Sequence, residues 1–236
     1  MKIEVIPTAQ QVDTNAVKGK TVVVIDVLRA TSVMITALNN GAKGVVPVLS
    51  PEDAFDIKEK SHDEVILGGE RHAEPIAGFD YGNSPFSYSS SVIKGKVLVM
   101  TTTNGTLAIK NAMSASELLV ASFINDEAVA NMLANKDEVV LVCSGNNGLY
   151  TLEDALCAGR IMHLLEQRSS VELSDFALAA KALYQAHQHN VSDIASKGFH
   201  YGVLLQKGYQ ADLEYCFTQN VSNTVPYWDG KWLVSK

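Results

Sequence analysis

The pattern that most constrains this chain is an alternation: through roughly the first 165 residues, short β-branched runs take turns with stretches of helical spacing. Lys2–Ile6, Thr21–Val27, Val45–Leu49, Glu64–Leu67, Lys96–Met100, Glu117–Ala121 and Glu138–Cys143 read as strands. Between them, residues 30–38, a segment opened by Ser50-Pro51, and residues 106–113, 126–135 and 152–166 read as helices. Ser50 suits an N-cap with Pro51 at the first helical position, and Asn39-Asn40-Gly41 suits a left-handed C-cap. Thr21–Val27 is almost wholly apolar, as expected of a central strand buried on both faces. The alternation predicts an α/β fold: three layers, α/β/α, around a mostly parallel or mixed sheet.

From about residue 170 the pattern changes to helices at 175–187, 191–197 and 200–207, followed by an Asp229-Gly230 hairpin signal inside Tyr227–Trp232. No Pro- or Ser-rich linker precedes this region, so it is expected to be a helical C-terminal extension of a single domain spanning 1–236; a small subdomain from about 170 is the alternative. The apolar stretch 176–183 suits either the core or a homodimer seam.

The formal net charge is −7 and no Lys/Arg run occurs, which argues against a nucleic-acid surface or an anionic membrane partner. Cys143, Cys157 and Cys216 are widely spaced and odd in number, which fits reduced thiols of a cytoplasmic protein rather than a disulfide framework. No apolar signal region or 18-residue apolar span is present, so neither secretion nor membrane crossing is expected.

In a sheet of this class, ligands bind beyond the carboxyl ends of the strands, and four of those ends are followed by polar loops. The first holds Asp26 and, three residues on, Arg29: a hard oxygen ligand beside an anion-binding cation, or else a structural ion pair at a helix start. The second begins Gly68-Gly69-Glu70-Arg71 and runs to Gly82-Asn83-Ser84-Pro85, offering Glu70 as a metal ligand and Arg71 as an anion clamp. Asn83 and Ser84 are either site residues or a helix cap. The third, Thr101-Thr102-Thr103-Asn104-Gly105-Thr106, joins hydroxyls, a glycine and helix N-terminal amides into a neutral oxyanion or phosphate cradle. The fourth follows Cys143 with Ser144 and leads to Thr151, Glu153 and Asp154, whose acidic pair also suits simple capping.

Several chemistries lack their signatures. There is no Walker or G-x-G-x-x-G loop, no H-E-x-x-H, and Leu28 stands where a D-x-D phosphatase needs its second Asp. Leu149 stands where a thiolate phosphatase loop starting at Cys143 needs Arg, which leaves a buried strand-end thiol as the main role for Cys143 and a nucleophile as the alternative. His72 reads as a solvated loop residue.

The ordered set VIDVLRATS (24–32), LGGER (67–71), GFDYGNSP (78–85), MTTTNGT (100–106) and CSGNNGLYTLEDALCAG (143–159), with GYQADLEYCF and VPYW near the end, resembles the 2-phosphosulfolactate phosphatase family. The chain departs from the family's pattern at His72-Ala73-Glu74-Pro75, where glycine and small residues are more usual. The resemblance implies a Mg²⁺-dependent phosphatase that hydrolyses 2-phosphosulfolactate to 3-sulfolactate and phosphate, a step of coenzyme M biosynthesis. On that reading Asp26 and Glu70 face the metal, and Glu153 or Asp154 supplies a further ligand or base. Arg29 and Arg71 hold the anionic groups. Thr102, Thr103, Asn104, Gly105 and Thr106 bind phosphate oxygens, and Asn83, Ser84 and Ser144 complete the pocket. Water and a covalent nucleophile, Asp26 or Cys143, both remain open. Rival readings are a non-catalytic anion-binding or sensor protein and a metal-dependent lyase acting on a related organic acid.

Overall fold

The computed structural model describes residues 1–236. In chain order the elements are β1 (Lys2–Ile6), β2 (Thr21–Ile25), α1 (Ala30–Asn39), β3 (Gly44–Pro47), α2 (Pro51–Lys60), β4 (Val65–Arg71), β5 (Glu74–Pro75), α3 (Ser90–Ile93), β6 (Val97–Thr101), α4 (Gly105–Ala112) and β7 (Glu117–Ala121). Then follow α5 (Asp126–Leu133), β8 (Glu138–Cys143), α6 (Leu152–Glu166), β9 (Glu172–Leu173), α7 (Asp175–His187), α8 (Val191–Ala195), α9 (Phe199–Gln206), α10 (Gln210–Cys216), β10 (Pro226–Trp228) and β11 (Leu233–Ser235).

The sheet has 11 strands in the order β5-β4-β6-β3-β11-β10-β7-β2-β8-β1-β9. β2 lies between β7 and β8 and pairs in parallel with both along its whole length, so all five of its residues are buried. Alternation then sorts its side chains: Val22 and Val24 pack with α1 and α4 on one face, Val23 and Ile25 with α5 and α6 on the other. A third, smaller cluster packs Ala54 of α2 against Val65, Leu67, Val97 and Val99. This is the three-layer α/β fold expected from the alternation.

The Asp229-Gly230 turn forms as expected, with Asp229 Oδ1 accepting from the amides of Lys231 and Trp232 and Gly230 at φ +101°. Its place was not foreseen. The hairpin β10–β11 is wedged between the two parallel blocks and pairs antiparallel with β7 on one side and β3 on the other. Each flank is held by a single registered pair, Tyr227 with Leu119 and Leu233 with Val45. Short-range pattern announces a turn but not which edges its strands will join.

Other boundaries moved for local reasons. β2 stops at Ile25 rather than Val27 because Asp26 turns the chain: its amide donates to Thr31 Oγ1, and its carbonyl accepts from the amide and hydroxyl of Thr31. β4 runs on to Arg71 because a two-residue turn folds it back on β5, pairing Glu70 with Pro75 and Arg71 with Glu74. That turn is His72-Ala73, at φ 54° and 60°, the left-handed pair typical of a tight hairpin and usually given to Asn-Gly. The backbone amide of Ala73 donates to Glu70 Oε2 at 2.8 Å, which offsets the cost of left-handed backbone at an alanine. Ser50 caps α2 through the amide of Asp53, and Gly41 takes φ +93° after α1, both as expected. In 176–183, Ala180 packs so closely on α6 that a methyl on Gly159 would lie 2.4 Å from the Ala180 carbonyl oxygen.

Asp126, the first residue of α5, is fully buried; Oδ2 accepts from Arg160 Nε at 3.2 Å and Oδ1 has no partner. Burial outweighs the arginine and lifts its pKa from 3.8 to about 6. A carboxyl raised in this way contributes stability that is complete below its unfolded value and lost as pH rises through 6. The melting temperature of Asp126→Asn relative to wild type should therefore climb between about pH 4 and 6 and level off above; a difference flat across that window would show the burial argument to be mistaken.

Candidate active site

The loops after β2, β4, β6 and β8 converge on one side of the sheet, where they and α9 enclose a cavity of about 220 Å³. Asp26, Arg29, Glu70, Asn83, Thr102, Thr103 and Asn104 line its polar side; Leu28, Phe199, Val203 and Leu204 form an apolar wall. A larger open groove of about 810 Å³ runs along α2 and the C-terminal hairpin. It takes in Lys60, His62, Lys110 and Trp232 but no residue of the four loops, so the convergent polar chemistry sits in the smaller cavity.

Asp26 stands at the end of β2 with Oδ1 accepting from the Ala30 amide at 3.0 Å. Its Oδ2 faces α4, where a methyl on Gly105 would come within 2.6 Å of it; glycine at 105 is what lets the third loop close over the carboxylate. Burial, then the charge of Asp154, pushes the Asp26 pKa well above the usual carboxylate value. Glu153 and Asp154 open α6 beneath it, and burial lifts both to about 7, with Asp26 adding to the first and Glu153 to the second. Asp154 is a tie between loops: Oδ1 accepts from the Val27 amide at 2.9 Å and Oδ2 from the Gly145 amide at 3.0 Å. Both Glu153 and Asp154 lie behind the cavity wall rather than on it.

Glu70 is also engaged. Its Oε1 accepts from the amide and hydroxyl of Thr103, and Oε2 from the Ala73 amide, so it fastens the third loop to the β4–β5 turn. Thr102 and Thr106 bond reciprocally: the Thr102 amide donates to Thr106 Oγ1, and the Thr106 amide to Thr102 Oγ1. These bonds take up three of the amides a phosphate cradle would use and leave that of Asn104 without a protein acceptor. Asn104 Oδ1 accepts from the Asn147 amide at 3.0 Å, stitching the third loop to the fourth. Asn83 is buried with its Oδ1 unpartnered, a polar atom aimed at nothing in the protein.

The remaining expected residues lie outside the lining. Arg71 donates to the carbonyls of Glu70 and Leu49 and to Thr101 Oγ1, bracing strand ends. Ser84 donates to Asp212 at 2.7 Å. Ser144 is fully buried with an unpartnered hydroxyl, and its amide donates to the Ile25 carbonyl. Cys143 is 1% exposed, and burial pushes its thiol far from the thiolate form.

Sequence reasoning missed the contribution of the C-terminal helices. His200 Nε2 lies 2.9 Å from the Leu28 carbonyl oxygen; a carbonyl only accepts, so that nitrogen carries the proton. Burial lowers the His200 pKa, which keeps the ring neutral. Arg29 is buried, pairs with Asp212 and lies 3.9 Å above the Tyr209 ring. The available signal was GYQADLEYCF, which holds both Tyr209 and Asp212. His72 and Ala73 also border the cavity.

Comparison with known protein families matches residues 6–231 to the family described as 2-phosphosulpholactate phosphatase. A protein of Clostridium novyi (strain NT) named "Probable 2-phosphosulfolactate phosphatase" is 43% identical over 227 residues, 96% of either chain. Its namesake in Clostridium perfringens (strain SM101 / Type A) is 45% identical over 229 residues, covering 95% of this chain and 92% of the relative. Another, in Clostridium acetobutylicum, is 41% identical over 236 residues, covering 99% and 100% respectively.

Proposed function

The chain belongs to the 2-phosphosulpholactate phosphatase family, and on that premise we propose that it hydrolyses 2-phosphosulfolactate to 3-sulfolactate and phosphate with the help of Mg²⁺. The observation that carries this reading is the convergence of Asp26, Arg29, Glu70 and Thr102–Asn104 on one small cavity beyond the strand ends. The substrate is small and carries three anionic groups. Arg29 answers them with a buried cation, and the free Asn104 amide and the side-chain N–H groups of Asn83 answer them with hydrogen bonds.

The cavity's two carboxylates, Asp26 and Glu70, support a hard divalent cation, and no protein group donates to Asp26 Oδ2. No three His, Cys, Asp or Glu side chains close on a single point. That suits Mg²⁺, which is commonly held by one or two carboxylates, with waters and substrate phosphate completing its shell. Asp26 would hold it, with Glu70, the other carboxylate on the cavity wall, second. When bound it would polarise the phosphoryl oxygens and lower the pKa of water. The protein itself orients the substrate through Arg29 and the third loop, and excludes bulk water with Leu28, Phe199, Val203 and Leu204. Coenzyme M biosynthesis or related sulfonate metabolism in the cytoplasm is the setting we propose; the three cysteines are all free and buried, and no helix is long and apolar enough to cross a membrane.

The test is phosphate release from 2-phosphosulfolactate with 3-sulfolactate as co-product. Activity should vanish with EDTA, return with Mg²⁺, and survive Cys143→Ser within a few-fold. Saturable binding without turnover would make the protein an anion binder instead. A product other than sulfolactate would make it a lyase.

A further inference from the structure

The geometry points to Asp212, on α10, as the residue that positions Arg29 for anion binding, with Tyr209 and Ser84 completing the clamp. The inference rests on the functional reading above for the identity of the anion, but not for the clamp itself.

A guanidinium on a flexible stem binds an anion well only when its plane is held, because the entropy of ordering it is then lost before the ligand arrives. Arg29 is held twice. Its Nη1 donates to Asp212 Oδ2, and its guanidinium carbon lies 3.9 Å from the centroid of the Tyr209 ring, which fixes the plane. Asp212 is held in turn: Oδ1 accepts from Ser84 Oγ at 2.7 Å. Asp212 and Arg29 are 4% and 2% exposed, so the pair is desolvated and the carboxylate has no water to turn toward. Arg29 lines the cavity whereas Asp212, Tyr209 and Ser84 do not. The carboxylate therefore acts through the arginine, and Ser84 acts through the carboxylate. Three segments far apart in sequence thus join in one chain of contacts, Ser84 to Asp212 to Arg29, and the remaining Arg29 N–H groups are left for the cavity.

The experiment uses the full chain and two readouts. With 2-phosphosulfolactate and Mg²⁺, Asp212→Asn should raise KM about tenfold while kcat changes less than threefold, because a loosened clamp weakens ground-state binding. By calorimetry, inorganic phosphate should bind Asp212→Asn about tenfold more weakly than wild type, whether or not the ester is turned over. A failure of the enzyme reading is thus distinguishable from a failure of the clamp. Tyr209→Phe should keep wild-type affinity and Tyr209→Leu should lose it, a contrast a merely structural tyrosine would not give. Because Asp212→Asn leaves a buried guanidinium that cannot lose its proton and can prevent folding, the decisive comparison is Arg29→Met, whose stranded carboxyl can take up a proton, with Arg29→Met/Asp212→Asn, which carries no unpaired charge. Equal phosphate affinities in these two support Asp212 acting only through Arg29. A further tenfold loss in the double variant, or wild-type KM and phosphate affinity in Asp212→Asn, overturns the proposal.

Discussion

Asp26→Asn is expected to lower turnover of 2-phosphosulfolactate by roughly 10³-fold while the protein stays folded. The amide oxygen of Asn can keep the bond from the Ala30 amide that Asp26 Oδ1 now accepts, so the turn at the end of β2 survives. What is lost is the one negative charge that both lines the cavity and keeps an oxygen clear of protein donors. The same substitution should leave the melting temperature unchanged or raise it in EDTA. Burial and the neighbouring Asp154 both oppose ionisation of Asp26, so a neutral isostere relieves a penalty that the folded chain otherwise carries. Phosphate release and thermal melts of the same preparation check both halves. Wild-type turnover in the folded variant would remove Asp26 from the site.

Gly69→Ala is the largest stability effect we expect, more than about 4 kcal/mol, seen as loss of soluble folded protein. Gly69 pairs with Thr101 across β4 and β6 at φ +136°, and a methyl there would sit 1.9 Å from the Thr101 carbonyl oxygen. The three nearest atoms are all Thr101 backbone, so no flexible side chain can yield. Gly68→Ala is the internal control. Its methyl would meet the Tyr88 hydroxyl at 2.1 Å and Leu98 Cδ1 at 2.9 Å, side-chain atoms rather than backbone, so about 1–3 kcal/mol is expected. Urea melts of the two variants, side by side with wild type, give the order. Equal destabilisation would mean that the β4–β6 contact at Gly69 is looser than the geometry indicates.

Those glycines show how much of the site is legible in one dimension. Gly68-Gly69 signals unusual backbone, Asp26 and Glu70 signal hard oxygen donors, and Thr101–Thr106 signals a helix start rich in hydroxyls. The cavity does unite Asp26, Arg29, Glu70, Asn83, Thr102, Thr103 and Asn104. The sequence could not rank the cations. Arg71 and Arg29 look alike on the page, yet Arg71 is committed to two carbonyls and a hydroxyl, while Arg29 borders the cavity. Nor could it show that Ser84 answers to Asp212, or that His200 reaches the Leu28 carbonyl.

The polar loops at strand ends, the buried central strand and the Asp-Gly turn were determined by sequence alone. Each follows from interactions within a few residues: side-chain alternation, a capping hydroxyl, a backbone angle that favours glycine. Tertiary structure decided the rest. The hairpin's insertion between two parallel blocks and the pairing of Arg29 with Asp212, 183 residues away, depend on which surfaces meet when the whole chain closes. A buried charge must find its partner wherever packing brings one, and local pattern carries no record of that distance.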